Sequence, residues 1–119
     1  MDDILSKRER RYLEIAMQMA HNSSGNHKHG AVVVKSGRIL GKGSNSYVTA
    51  RHAEANACGQ NWRSELAGAT VFVVRLRRNQ LVGLSRPCPE CEKMLRECKV
   101  HRVIYSTNDV NNPIAIEKY

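Results

Sequence analysis

Four side chains in this sequence have the types and spacing to do chemistry together: His52, Glu54, Cys88 and Cys91. Imidazole nitrogen and thiolate sulfur are the donors zinc prefers. Three protein ligands with one open position make a catalytic centre, whereas four make a structural one. Cys88 and Cys91 are three residues apart just after Pro87, a residue that opens helices. At that spacing both sulfurs lie on one helix face, near enough to share an ion, and a helix N-terminus favours thiolate over thiol. His52 stands at the head of the alanine-rich run Ala53 to Ala57, which also favours helix.

A fourth protein ligand is not expected. Cys98 lies two helical turns past Cys91, roughly 10 Å along an axis. Cys58 is nearly as far beyond His52, and His101 falls past the end of the helix that carries the cysteines. The open position is then left for water. Glu54, two residues after His52, can sit beside that water without touching the metal. There it can take a proton and return it to a ring nitrogen and a leaving amine.

The elements that position these groups follow from hydrophobic spacing. Residues 3–22 read as a helix, with Ile4, Tyr12, Ile15, Ala16, Met19 and Ala20 along one face. Ala31 to Lys35 and Arg38 to Lys42 form a hairpin around Ser36-Gly37. His52 to Trp62 is helical. The run TVFVVRLR after Gly68 is an unbroken β-branched strand, and Leu81 to Leu84 makes a brief return. A helix from Cys88 to Cys98 and strands at Arg102 to Ser106 and Ile114 to Lys118 complete the order α-ββ-α-β-α-β-β. Strands interleaved with helices predict a sheet covered by helices, in a single domain spanning 1–119.

Bulk composition narrows the setting. The 119 residues are 41% hydrophobic but only 5% aromatic, so the core should rest on aliphatic side chains. No apolar run approaches the ~20 residues of a membrane span, and the N-terminus does not read as an export signal. A cytoplasmic protein with no membrane partner is expected, and there a CxxC points to metal or redox chemistry rather than a bridge. The formal charge is +8, with clusters at Lys7, Arg8, Arg10 and Arg11 and at Arg75, Arg77 and Arg78. That charge suits an anionic partner, nucleic acid included.

The segments His52-Ala53-Glu54 and Pro87-Cys88-Pro89-Glu90-Cys91 together resemble the zinc-binding pattern of the cytidine and deoxycytidylate deaminase superfamily. The likeness covers nearly the whole chain, with HGAVVV and Gly43-Ser44-Asn45 before the first segment and VIYS after the second. It implies a three-layer α/β/α fold around a five-stranded mixed sheet. It also implies hydrolytic loss of ammonia from C4 of a cytosine ring, or C6 of an adenine, by a zinc-carried hydroxide with Glu54 as proton shuttle. His52, Cys88 and Cys91 become the zinc ligands. Asn45 becomes a substrate contact, the backbone N–H of Ala53 approaches the ring carbonyl, and the backbone C=O of Arg86 approaches the amine. Tyr47, in the loop before His52, can stack on the base. Cys58 and Cys98 read as small buried residues or inert thiols. His21, His27 and His29, in or beside the first loop, read as surface histidines, any of which could line the site mouth.

Three departures refine the resemblance. The loop from Asn45 to His52 is short, unlike the long insertion common in deoxycytidylate deaminases. Arg86 stands where transfer-RNA adenosine deaminases typically have Glu. Thr107 to Pro113 is also too short for a parallel crossover, so the last strand should run antiparallel, as in free-nucleoside cytidine deaminases. The leading expectation is a deaminase of a free cytosine-type nucleoside or base, one modified at the amine included, acting as a homodimer or homotetramer. Two alternatives are a polynucleotide or transfer-RNA editor and a non-catalytic zinc-containing nucleic-acid-binding module.

Overall fold

The structure is a computed structural model, and it describes residues 5–23, 28–45, 52–59, 63–77 and 82–119. Helix α1 spans Lys7–His21. It begins later than its apolar spacing suggests because Ser6 caps it. The Ser6 hydroxyl accepts the Glu9 N–H at 3.1 Å, and the Glu9 carboxylate accepts the Ser6 N–H at 2.9 Å. This reciprocal pair satisfies two N–H groups at the helix start.

Strands β1 (Lys28–Lys35) and β2 (Arg38–Ser44) form the hairpin. β1 starts three residues earlier than its apolar run, so His29 lies on a strand rather than in a loop. The extension exists because β1 is paired on both sides, with β2 through Gly30 and with β3 back to Lys28. The expected helix from His52 to Trp62 is shorter. Helix α2 covers Ala53–Cys58, Gly59 caps its end, and a separate short helix α3 takes up Arg63–Leu66. Strand β3 (Thr70–Leu76), strand β4 (Val82–Gly83), helix α4 (Pro89–Glu97), strand β5 (Arg102–Ser106) and strand β6 (Ile114–Lys118) follow.

The sheet runs β2-β1-β3-β5-β6, with β4 paired to the far end of β3. The five expected strands form that path, and the two-residue β4 is a sixth. It is the brief return expected before the cysteines. β3 and β5 are parallel, while β6 returns antiparallel to β5 as its short connection requires.

Alternation along the three central strands buries both faces. Ala31, Val33, Val71, Val73 and Val103 share one core with Ala53, Ala57 and Leu95 from α2 and α4. Val32, Val34, Phe72, Val74 and Ile104 share the other with Tyr12 and Ala16 of α1. This is the expected three-layer α/β/α arrangement. Gly43 sets α2 against the sheet: a Cβ there would meet the Ala57 backbone nitrogen at 2.6 Å, so the helix rests directly on β2. Among the described residues, no helix is long and apolar enough to cross a membrane.

Candidate active site

Two helix starts meet at one end of the sheet. His52 is the N-cap of α2 and Cys88 the N-cap of α4, and neither side chain caps its own helix. Both turn instead toward one another. His52 Nδ1 lies 3.2 Å from Cys91 Sγ and 3.4 Å from Cys88 Sγ. At zinc's usual bond lengths, tetrahedral ligation puts nitrogen and sulfur about 3.5 Å apart. Among the described residues, these three form the one cluster whose donor atoms all lie within 4.8 Å of one another.

The donor set calls for a cation. Burial pushes the Cys91 thiol well above its ordinary pKa, and its neighbours Glu54, Cys88 and Cys58 push it further the same way. Each of those neighbours is itself an acid. A dication among them reverses the balance, because it stabilises thiolate and carboxylate together. His52, Cys88 and Cys91 are therefore positioned to hold zinc, and among the described residues no fourth donor joins their cluster.

Glu54 is 5% exposed, on the first turn of α2. Burial raises its pKa, and its own backbone N–H, His52 and Cys91 counter only part of that rise. Its carboxyl lines a cavity of about 440 Å³ whose wall also includes His29, Asn45, His52, Ala53, Arg75, Ser85, Arg86 and Cys88. That volume is in the range of small-molecule sites.

The sequence-expected residues Asn45, Ala53, Glu54, Arg86, His52 and Cys88 thus converge on one cavity, with Cys91 behind it. Tyr47 lies outside the described residues. Asn45, at the end of β2, is firmly held. Its Oδ1 accepts the Ser23 hydroxyl at 2.6 Å and the His29 N–H at 2.8 Å. The side chain of Arg86 reaches Glu117 on β6, with Nε–Oε2 at 2.7 Å. That carboxylate also accepts the Tyr105 hydroxyl at 2.7 Å. The residue joining α4's start to the last strand is therefore one the sequence reading valued only for its backbone.

Three further residues line the cavity. His29 reads from the sequence as a surface histidine able to line the site mouth, and it does line the cavity. Arg75 looked like one member of a charge cluster. Ser85 carried no motif at all, yet it is buried and donates to the Val73 carbonyl at 2.8 Å. Strand register is what sets Arg75 beside His29, which lies directly opposite it. Cys58 and Cys98 sit in the core beneath α2 and α4, as expected. Burial, then Cys98 and Glu54, push the Cys58 thiol up to about 12, so it is inert near neutrality.

Several known proteins are similar to this chain in sequence or fold. The riboflavin biosynthesis protein RibD of Aquifex aeolicus is 32% identical over 107 residues, which are 87% of this chain and 29% of that protein. This chain therefore spans under a third of that relative's length. Among solved structures, the deoxycytidylate (dCMP) deaminase of cyanophage S-TIM5 superposes with a TM-score of 0.64 at 27% identity, covering 82% of this chain and 81% of the other. A Thermotoga maritima diaminohydroxyphosphoribosylaminopyrimidine deaminase/5-amino-6-(5-phosphoribosylamino)uracil reductase superposes with a TM-score of 0.63 at 25% identity, covering 84% and 29%. The family described as the cytidine and deoxycytidylate deaminase zinc-binding region matches residues 6–107, and this chain belongs to it.

Proposed function

We propose that this chain deaminates a cytosine-type ring, as nucleoside or base, by hydrolysis. One observation carries the reading: a buried carboxyl, Glu54, lines the same cavity as His52 and Cys88, two of the three metal-site donors. Water adds to the ring carbon bearing the amine, the carbon–nitrogen bond breaks, and ammonia leaves. Zinc held by the three donors would supply the nucleophile, since it lowers the pKa of bound water to about 7.

The protein's own groups handle protons and position. Glu54 takes the proton from water, passes it to the ring nitrogen, and then protonates the departing amine. Burial raises its pKa and a bound dication would lower it, and these opposed pulls suit a group that must both gain and lose a proton. The Ala53 N–H meets the ring carbonyl, and the Arg86 C=O accepts from the amine. Asn45, oriented by Ser23 and His29, donates from its amide nitrogen to the substrate. The reading keeps a small-molecule substrate and a homodimer or homotetramer whose neighbours wall the cavity.

A second reading has a specific support. Relatives named for riboflavin biosynthesis and for an aminopyrimidine deaminase match this chain. A more heavily substituted aminopyrimidine would undergo the same bond changes over the same Glu54. The experiment that separates the readings is ammonia release from the zinc-loaded protein with cytosine, cytidine, deoxycytidine, a diaminopyrimidine, adenosine and short RNA. Glu54→Gln should keep its zinc and lose on the order of 10²–10⁴-fold in turnover. A Glu54→Gln protein that still releases ammonia at the original rate sinks the mechanism.

A further inference from the structure

We propose that Glu117, on the last strand, is a positioning residue for the reaction: it clamps the Arg86 side chain and so aims the Arg86 carbonyl at the substrate's amine. This rests on the pyrimidine-deaminase reading. The clamp is a fork. Arg86 Nε and Nη2 donate to Glu117 Oε2 and Oε1 at 2.7 and 3.2 Å. Paired bonds of this kind hold a guanidinium in one plane. Tyr105 donates to the same carboxylate at 2.7 Å, and Glu92 of α4 lies 3.5 Å from Arg86 Nη2. Arg86 first, and Tyr105 second, hold the Glu117 carboxyl below its ordinary pKa.

The strand pattern alone would put an apolar residue at 117. Residues alternate along β6, and Ala115 and Tyr119 pack against the core shared with α2 and α4. Glu117 falls between them on that face, opposite Val103. A carboxylate there costs free energy unless it is paired. β6 is an edge of the sheet, and an inward-pointing charge can serve only to keep an edge from pairing with another chain. That role needs a charge but no particular partner. Glu117 instead reaches from β6 to the residue one proline before the metal-site Cys88.

The backbone around Arg86 is fixed on both sides. The Ser85 N–H donates to the Ser106 carbonyl at 2.9 Å, and the Ser85 and Ser106 hydroxyls lie 2.9 Å apart. Pro87, next in the chain, confines Arg86 to extended backbone and so limits rotation on its carbonyl side. The freedom left is rotation about the Arg86 N–Cα bond. That rotation swings side chain and carbonyl together, and the Glu117 fork opposes it. Ser85 and Arg86 both line the cavity that Glu54 and Cys88 also line, so a turn here moves the carbonyl relative to the reacting ring. The Arg86 side chain is 47% exposed, and a pair so exposed adds little to stability. Its effect should appear in the reaction instead. A carbonyl's bond to the amine strengthens as that amine gains a proton and departs, so misplacing it costs kcat more than KM.

The test measures kcat, KM, zinc content and unfolding in wild type, Glu117→Ala, Arg86→Lys and the double variant, on the best substrate of the ammonia-release panel. Each single variant should keep its zinc and lose roughly tenfold in kcat, with KM changed by less than about twofold. The double variant should lose no more than the worse single one, because both changes break one contact. Glu117→Gln, whose amide oxygen can still accept from Arg86 Nε, should keep an intermediate rate. Should Glu117→Ala fail to fold, Glu117→Gln takes its place in the cycle. Unchanged kcat in the single variants, losses that multiply in the double variant, a rise in KM alone, or zinc lost along with activity each overturn the positioning role.

Should no compound release ammonia, the deaminase reading fails separately. The clamp is then judged by crystal structures of wild type and Glu117→Ala, or of Arg86→Lys where the first does not fold. A shift of the Arg86 carbonyl oxygen on the order of 1 Å supports it, since a misplacement of that size matters to reaction geometry. A carbonyl left in place overturns it.

Discussion

Both ends of the sheet are rich in basic side chains, but they differ in how those side chains are arranged. At the end formed by the β1–β2 turn, Lys7, Arg8, Arg10 and Arg11 project from the first turns of α1 and are exposed. Tyr12 and Arg8 place that helix start beside Gly37, far along β1 from His29. Arg102 at the start of β5 ties the same end together through Glu9. At the other end, Arg75 and Arg86 line a cavity alongside a metal-binding trio, held by register, serines and Glu117. Among the described residues, part of the basic charge is therefore a solvated cap and part lines a shaped site. The cluster on α1 lies at the end of the sheet away from the cavity. Net charge alone says little about a partner until the fold assigns each charge to an end.

This contrast can be broken by experiment. The largest effect belongs to the metal. Cys88→Ser should leave less than one zinc per chain and no ammonia release, read by elemental analysis and by activity after zinc is added back. Full zinc and full activity in that variant would remove the cavity end's claim to chemistry. A smaller effect belongs to the opposite end. Ser6→Ala should cost about 1 kcal/mol in denaturant unfolding, through loss of the cap on α1, with kcat/KM unchanged. A large catalytic loss there would mean the two ends are coupled. The smallest effect is expected from Lys7→Gln, Arg8→Gln and Arg11→Gln combined, which should move kcat/KM by no more than about twofold at physiological salt, where charges beyond the ~8 Å Debye length are screened. A tenfold fall would make the exposed cluster part of substrate capture and revive the nucleic-acid reading.

Much of the site was readable in the sequence because its chemistry is local. His52-Ala53-Glu54 and the Cys88–Cys91 pair each occupy a single helix start, and their spacing alone sets which donors can converge. The short Thr107 to Pro113 connection likewise forced β6 to return antiparallel, and the structure has it so. Misjudged boundaries had physical causes. The end of α2 at Cys58 follows from Gly59, and the start of α1 from the Ser6–Glu9 pair, a local signal that the apolar spacing overrode.

What the chain determined by itself is the donor set, the carboxyl two residues after His52 and the alternation that makes a two-faced sheet, since these depend on neighbours a few residues apart. What the tertiary structure decided is which remote residues share the cavity. His29 meets Arg75 only through β1–β3 pairing, Ser85 meets Ser106 only because β4 returns beside β5, and Arg86 meets Glu117 only across to the last strand. Those meetings depend on strand register, and register is fixed by burying both sheet faces at once, a condition no single segment carries.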